Sequence, residues 1–331
     1  MIRSDCNGTC QKYIEGGGHI HRKDWVTAGD HCYRDPDRFP NLLSSRLGTH
    51  VLYWRMNEHL TREDYGRFPA VEADFRLSYG TETDQFGDLY LPSGNEPHPV
   101  VILLHGGCWR SRFGLEPLGR VAETLRQLGM AVWNLEYQRL GQGGGWPFTM
   151  KDVARGADHL CLLAKIYPLD LSQVIAVGHS AGGHLSLWLG ARSHLPSSSE
   201  LYFPEPLPLK GILSLAGVAD LVRGVAWDVC QGACADLMGG TPEEFPERYQ
   251  QASPCQMGPI TVPQVHLVGE QDKIVRAKMV QEDVAELRKH APATAIDFEE
   301  IAEIGHFELV DPASATWSNV EKAIMKLLRS E

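Results

Sequence analysis

Gln173-Val174-Ile175-Ala176-Val177, Gly178-His179-Ser180-Ala181-Gly182 and Gly183-His184-Leu185-Ser186-Leu187-Trp188-Leu189-Gly190-Ala191-Arg192 follow one another without a gap. The first is a short apolar, β-branched run and reads as a buried strand. The last reads as a buried helix. Between them a serine sits on a sharp strand-to-helix turn, with small glycines that let the turn close. Such a turn pushes the hydroxyl out above the sheet, clear of competing backbone. Gly-x-Ser-x-Gly by itself recurs by chance, so the flanking strand and helix carry the reading.

Outward from this turn, strands and helices alternate. Asp74–Tyr79 and Gly87–Pro92 alternate in polarity and read as an antiparallel hairpin, whereas Val100–Leu104 is a continuous apolar run expected of a strand buried on both faces. Helix 116–128, strand 130–135 and helix 149–167 precede the serine. Strand 210–215, strand 264–268, helix 275–289, strand 295–300 and helix 317–329 follow it. The alternation implies right-handed crossovers and a mostly parallel central sheet covered by helices on both faces, an α/β-hydrolase fold. Between Gly217 and Gly258 the rhythm breaks into a stretch with three aspartates, Trp227 and a Gly239-Gly240-Thr241-Pro242 turn. It is expected to be a small helical cap insertion over the carboxyl edge of the sheet, with Asp220 holding its first loop.

The domain expectation is one hydrolase domain over residues 51–331, opening on a short helical lead-in over 51–70. Residues 1–50, rich in Gly, Asp, Arg and His, are expected to be an extension, poorly ordered or draped over the core. Composition is that of an ordinary globular protein, 43% hydrophobic and 22% charged over 331 residues. A net charge of -11 repels phosphate backbones and anionic lipid, which argues against nucleic-acid and membrane partners. No apolar run approaches the roughly 20 residues needed to cross a bilayer. The N-terminal residues lack the apolar segment of a secretory signal, so a cytoplasmic protein is expected, as a monomer or a homodimer.

Eight cysteines in this length do not make a disulfide framework. Cys6 and Cys10 with His19, His21, His31 and Cys32 form a loose set that matches no zinc spacing, and no metal is expected there. Cys230 and Cys234, four apart, fit one helix face as packing residues. Cys108 is expected to make the protein sensitive to thiol reagents without acting as a catalytic thiolate.

In this fold the nucleophile is followed in chain order by an acid on a late strand and a histidine after the next. Val265–Val268 leads into Asp272, and strand 295–300 leads into Gly305-His306. Ser180 is thus the candidate nucleophile, His306 its base, and Asp272 the acid that fixes the imidazole, with Glu270 and Asp311 as competing acids. His105-Gly106-Gly107-Cys108-Trp109 directly follows strand 100–104. Acyl transfer builds an oxyanion, and preformed backbone N–H groups stabilise it best, so Gly106, Gly107 and Ala181 are the candidate donors. His179 is expected to order the turn. Trp109 and Trp146 either line a substrate pocket or are plain packing.

His105-Gly106-Gly107-Cys108-Trp109 and Gly178-His179-Ser180-Ala181-Gly182 resemble the motifs of the kynurenine formamidase (arylformamidase) branch of the α/β hydrolases, near the hormone-sensitive-lipase-like carboxylesterases. Further echoes are Gly217–Leu221, Ala252-Ser253-Pro254, Val268–Asp272 and His306-Phe307-Glu308. The resemblance spans roughly residues 70–330. It implies hydrolysis of a small carboxylic ester, or of an aryl formamide such as N-formyl-kynurenine, with no metal or cofactor. The Gly143-Gly144-Gly145-Trp146 loop and the 217–258 insertion depart from the formamidase pattern, which favours the ester. A non-catalytic small-molecule-binding role is the other class. Such proteins lose the serine or the histidine, and both stand here.

Overall fold

The structure, a computed structural model, describes residues 59–329 and, ahead of them, four short strands. The chain forms two compact units, Met1–Asn57 and Glu58–Glu331. In the first, Ile2–Ser4 pairs antiparallel with Cys10–Lys12, and Trp25–Ala28 with His31–Arg34. The expected draping of residues 1–50 lies outside the described residues, as do Cys6, His19 and His21 of the loose cysteine and histidine set, whereas Cys10, His31 and Cys32 fall in these short strands.

The second unit is built on one sheet. Its strands are β1 Phe75–Ser78, β2 Phe86–Tyr90, β3 His98–Leu104, β4 Ala131–Leu135, β5 Leu169–His179, β6 Gly211–Leu215, β7 Gln264–Gly269 and β8 Ile296–Ile301. Their order is β8-β7-β6-β5-β3-β4-β2-β1. Only β2 opposes its neighbours, pairing antiparallel with both β1 and β4. This is the α/β-hydrolase sheet expected from the alternation. β4, β6 and β7 are buried along their whole length, because helices cover both faces, and their sequences are accordingly mostly apolar, broken by Asn134, Ser214, Gln264 and His266.

The helices are α1 Arg62–Tyr65, α2 Gly119–Gln127, α3 Phe148–Asp158, α4 Leu160–Leu163, α5 Ala181–Ala191, α6 Leu221–Ala226, α7 Ala233–Met238, α8 Pro246–Ala252, α9 Ala277–His290 and α10 Trp317–Arg329. The single helix expected over 149–167 is instead α3 and α4, parted at His159. There the Asp158 carboxylate leaves the helix axis to pair with Arg192 and to accept the Leu207 N–H at 2.8 Å. α5 is buried on every side, all of it but Gly190, as its unrelieved apolar sequence requires. No helix among the described residues is long and apolar enough to cross a membrane.

The insertion is helical, as its broken rhythm suggests, and consists of α6, α7 and α8. Asp220 caps α6, its carboxylate accepting the N–H groups of Val222 at 2.9 Å and Arg223 at 3.3 Å. Asp283, fully buried on α9, accepts the Ala219 and Asp220 N–H groups and pairs with Arg223, which anchors the root of the insertion to the sheet's covering helix.

Strand register sets Leu104 of β3 beside Gly178 of β5, and Leu215 of β6 beside His179. The carboxyl ends of β3 and β5 thus lie side by side where the strand order reverses. Loops leaving that point diverge to opposite sides and open a crevice.

Candidate active site

Ser180 holds φ 55°, ψ -117°, a left-handed backbone that costs a non-glycine residue about 1–3 kcal/mol. Two bonds over-determine it. Its N–H donates to the Leu215 carbonyl at 2.8 Å, and its own carbonyl accepts the His184 N–H at 3.1 Å, the first turn of α5. The flanking glycines are required by space. A Cβ on Gly178 would stand 2.0 Å from the Gly182 carbonyl oxygen, and one on Gly182 would stand 2.0 Å from that of Leu104. Both obstacles are backbone, so neither residue can carry a side chain.

His306 and Asp272 are joined. The imidazole Nδ1 lies 2.5 Å from Asp272 Oδ2, and both residues are about 5% exposed. The other carboxylate oxygen, Oδ1, accepts the N–H groups of Ile274 and Val275, each at 2.8 Å. With Nδ1 donating to the carboxylate, Nε2 is left as the acceptor nitrogen. Ser180 and His306 line the same cleft, together with Arg62, Tyr65, Gly107, Cys108, Phe113, His179, Ile274 and Phe307. The competing acids are engaged elsewhere: Glu270 accepts the Glu303 N–H at 3.1 Å, and Asp311 pairs with Arg120 at 3.1 Å.

His179 orders the turn as expected. Its Nε2 donates to the His306 carbonyl at 3.0 Å, which ties the nucleophile turn to the histidine loop. Burial first, and the neighbouring His306 second, push its pKa well down, so it is neutral. Its Nδ1 is buried without a partner among the described residues.

The loop after β3 lies against the serine turn. A Cβ on Gly106 would stand 2.9 Å from the His179 carbonyl oxygen and 3.1 Å from Ser180 Cβ. Gly107 holds φ +115°, and its carbonyl accepts the Arg110 N–H at 3.0 Å. Ala181 opens α5, where an N–H has no acceptor within its own helix. Behind this loop lies a network that the sequence reading missed. The buried His105 ring reaches the Gly106 carbonyl through Nδ1 and the Glu136 carboxylate through Nε2, each at 2.8 Å, while Tyr137 Oη donates to the His105 carbonyl at 2.8 Å. An acid directly after the largely apolar β4 was the available signal.

Two expectations are corrected. Cys108 has no free thiol, and Cys230 is not a helical packing residue: the two form a disulfide, with Cα atoms 5.9 Å apart and 122 positions apart in sequence. Cys230 stands at φ 56° in the turn between α6 and α7, which breaks the helical spacing assumed for Cys230 and Cys234. Nor do Trp109 and Trp146 reach the cleft. Trp109 is 1% exposed and packs edge-on against His184. Trp146 donates from Nε1 to Glu200 at 2.9 Å. The apolar walls come instead from Tyr65, Phe113, Ile274 and Phe307, which lie on loops and on α1. Among the described residues no cluster of three or more His, Cys, Asp or Glu is gathered to hold a metal.

Residues 87–302 match the BD-FAE family. Among solved structures, a truncated carbohydrate esterase from gut microbiota superposes with a TM-score of 0.66 at 16% identity, over 80% of this chain and 99% of that one. A carboxylesterase from Lactobacillus plantarum WCFS1 superposes with a TM-score of 0.62 at 17% identity, over 78% of this chain and 99% of that one. Among curated proteins, an isoprenylcysteine α-carbonyl methylesterase of Oryza sativa subsp. japonica is 29% identical over 110 residues, 33% of this chain and 26% of that protein. A non-reducing polyketide synthase of Emericella nidulans is 33% identical over 113 residues, 31% of this chain. The chain spans only 4% of the length of that synthase. The match over well more than half its length decides the matter: the chain belongs to the BD-FAE family, on an α/β-hydrolase fold.

Proposed function

We propose that this protein is a serine hydrolase of small carboxylic esters that works through an acyl-enzyme. Ser180 Oγ attacks the ester carbonyl while His306 Nε2 takes its proton. Asp272 holds the tautomer and stabilises the imidazolium. The oxyanion of the tetrahedral intermediate is held by backbone N–H groups drawn from Gly106, Gly107 and Ala181, with the N-terminal dipole of α5 behind them. The intermediate collapses, the alcohol leaves with the proton from His306, and water repeats the sequence to free the acid.

One observation carries this reading. A histidine bonded to a buried carboxylate at 2.5 Å lines the same cleft as a serine held at a left-handed turn between strand and helix. A structural serine does not need that backbone, nor a structural histidine that partner. The likeness to proteins known as esterases agrees with the reaction class and supports an ester substrate.

The test compares wild type with Ser180→Ala on p-nitrophenyl acetate, p-nitrophenyl butyrate and N-formyl-kynurenine. Turnover of the esters is expected, with loss of about a million-fold in kcat for the alanine variant and an unchanged fold by circular dichroism. Normal turnover by that variant would overturn the mechanism. A strong preference for the formamide would move the substrate to the arylformamidase class while leaving the machinery intact.

A further inference from the structure

We propose that the Cys108–Cys230 disulfide is a positioning device for the oxyanion loop, and that a thiol reductant slows the chemical step by cutting it. The inference rests on the serine-hydrolase reading above.

Gly107, the candidate oxyanion donor, is followed at once by Cys108 at φ 56° and Trp109 at φ 54°. Two successive non-glycine residues in the left-handed region persist only where the surroundings over-determine them. On the far side of Trp109 the loop is pinned by the Leu140 N–H, which donates to the Trp109 carbonyl at 2.7 Å. On the Gly107 side the tether is the sulfur bridge to Cys230. That partner is itself in a left-handed run, with Cys230 at φ 56°, Gln231 at φ 55° and Gly232 at φ 78°. Arg110 ties the same two segments again, through the Gln231 carbonyl at 3.2 Å and Asp236 at 2.7 Å, but its side chain is 43% exposed and that pair is weak alone.

The insertion bearing Cys230 is anchored in turn by Asp283 on α9. A path of hydrogen bonds and an ion pair therefore runs from helix α9 into the insertion, and one covalent bridge carries it on to the residue beside the candidate oxyanion donor. Oxyanion donors act through position, and misplacement by about 1 Å costs about a hundredfold in rate. Cys230 is the less buried of the two sulfurs' residues. A dithiol reductant attacks its sulfur, breaks the S–S bond and releases the Cys108 thiolate. Its second thiol then closes on the mixed disulfide and frees Cys230, so two electrons pass to the protein and the reductant leaves as a disulfide.

The test has three arms on the full chain. Alkylation without reduction, read by peptide mass, is expected to leave Cys108 and Cys230 unlabelled; full labelling of both overturns the proposal. Dithiothreitol, carried until both residues label, is expected to lower kcat on p-nitrophenyl acetate by about tenfold to a hundredfold, with KM changed by less than about twofold. Affinity for a boronic acid that forms a tetrahedral adduct on Ser180 should fall by the same factor as kcat, an effect that general loosening would not produce while the melting temperature stays above that of the assay. Reoxidation should restore both. Unchanged kcat after complete reduction overturns the proposal. The Cys108→Ser, Cys230→Ser double variant should match the reduced wild type and ignore dithiothreitol; continued inhibition would place the effect at another cysteine and overturn it. If that variant does not fold, the reversible reduction of wild type decides. Turnover that persists in Ser180→Ala would defeat the reading of the site, whereas serine-dependent turnover indifferent to reduction would defeat this inference alone.

Discussion

Glu136 and His105 meet 2.8 Å apart at the neighbouring carboxyl ends of β4 and β3, both sealed from solvent. Burial acts to raise the Glu136 pKa, but the His105 imidazole and Arg139 outweigh it, and the net shift is downward. The carboxylate also accepts the N–H groups of Tyr137 at 2.9 Å and Leu115 at 3.1 Å. Through the His105 ring it acts on the Gly106 carbonyl, and so on the peptide that presents the Gly107 N–H. Glu136→Gln is expected to lower kcat about tenfold with KM unchanged, and to cost about 3 kcal/mol in urea unfolding. Unaltered kcat in a folded variant would disconnect Glu136 from the oxyanion loop.

Asp272 holds His306 from one oxygen and two backbone N–H groups from the other, so its substitution changes the tautomer more than the shape. Asp272→Asn should lower kcat about ten-thousandfold with little change in KM. Glu270→Gln and Asp311→Asn should leave kcat near wild type, since neither acid touches His306. Activity lost in Glu270→Gln and kept in Asp272→Asn would reassign the acid.

Acyl length follows from the cleft. Beside Ser180 it has a volume of about 10 Å³, room for about one water. Each added methylene must displace Tyr65, Phe113, Ile274 or Phe307, and overpacking costs about 1–3 kcal/mol. The acetyl ester should therefore exceed the butyryl ester about tenfold or more in kcat/KM. Equal rates on the two would mean that these walls yield.

Three buried histidines set the acid limb of stability. Burial lowers His184 to about 4 and His266 to about 3, and burial with the neighbouring His306 holds His179 well below the usual imidazole range. Below about 6.5 the unfolded chain binds protons at these sites while the fold refuses them. Their contribution is complete above that pH and is lost as pH falls toward the folded values. Asp283, raised to about 7 by burial, works in the opposite direction from about pH 7 down to about 4 and offsets one of the three. Urea unfolding between pH 6.5 and 5 should show stability falling by up to about 3 kcal/mol per pH unit. A flat profile would mean that these rings take up protons without unfolding.

The sheet was legible because its strands obey simple rules. Val100–Leu104 is apolar throughout and Val265–Val268 is so but for His266, since helices cover both faces, and the serine turn carries its own steric signature in Gly178 and Gly182. Chain order and loop position singled out Asp272 and His306, and the fold brings the two into contact. What sequence did not disclose was long-range. Nothing local to Cys108 indicates that its partner lies 122 residues on, because pairing follows from how the insertion folds back. Tyr65, Phe113 and Ile274 line the cleft from a one-turn helix and loops, where no periodicity marks them. Trp109 and Trp146 stayed open between pocket and packing for the converse reason: large aromatic rings near a mouth serve equally well as filler, and here one is sealed inside and the other is held by Glu200.

The burial of α5 on all sides has a consequence for how this site can change over evolutionary time. Amide groups in such a helix exchange hydrogen only when the whole domain opens, so the position of Ser180 is as durable as the fold itself. The opposite wall, drawn from α1 and from loops, carries no such constraint. New substrates should be acquired by exchanging Tyr65, Phe113 or Ile274, while the elbow that carries Ser180 stays where it is.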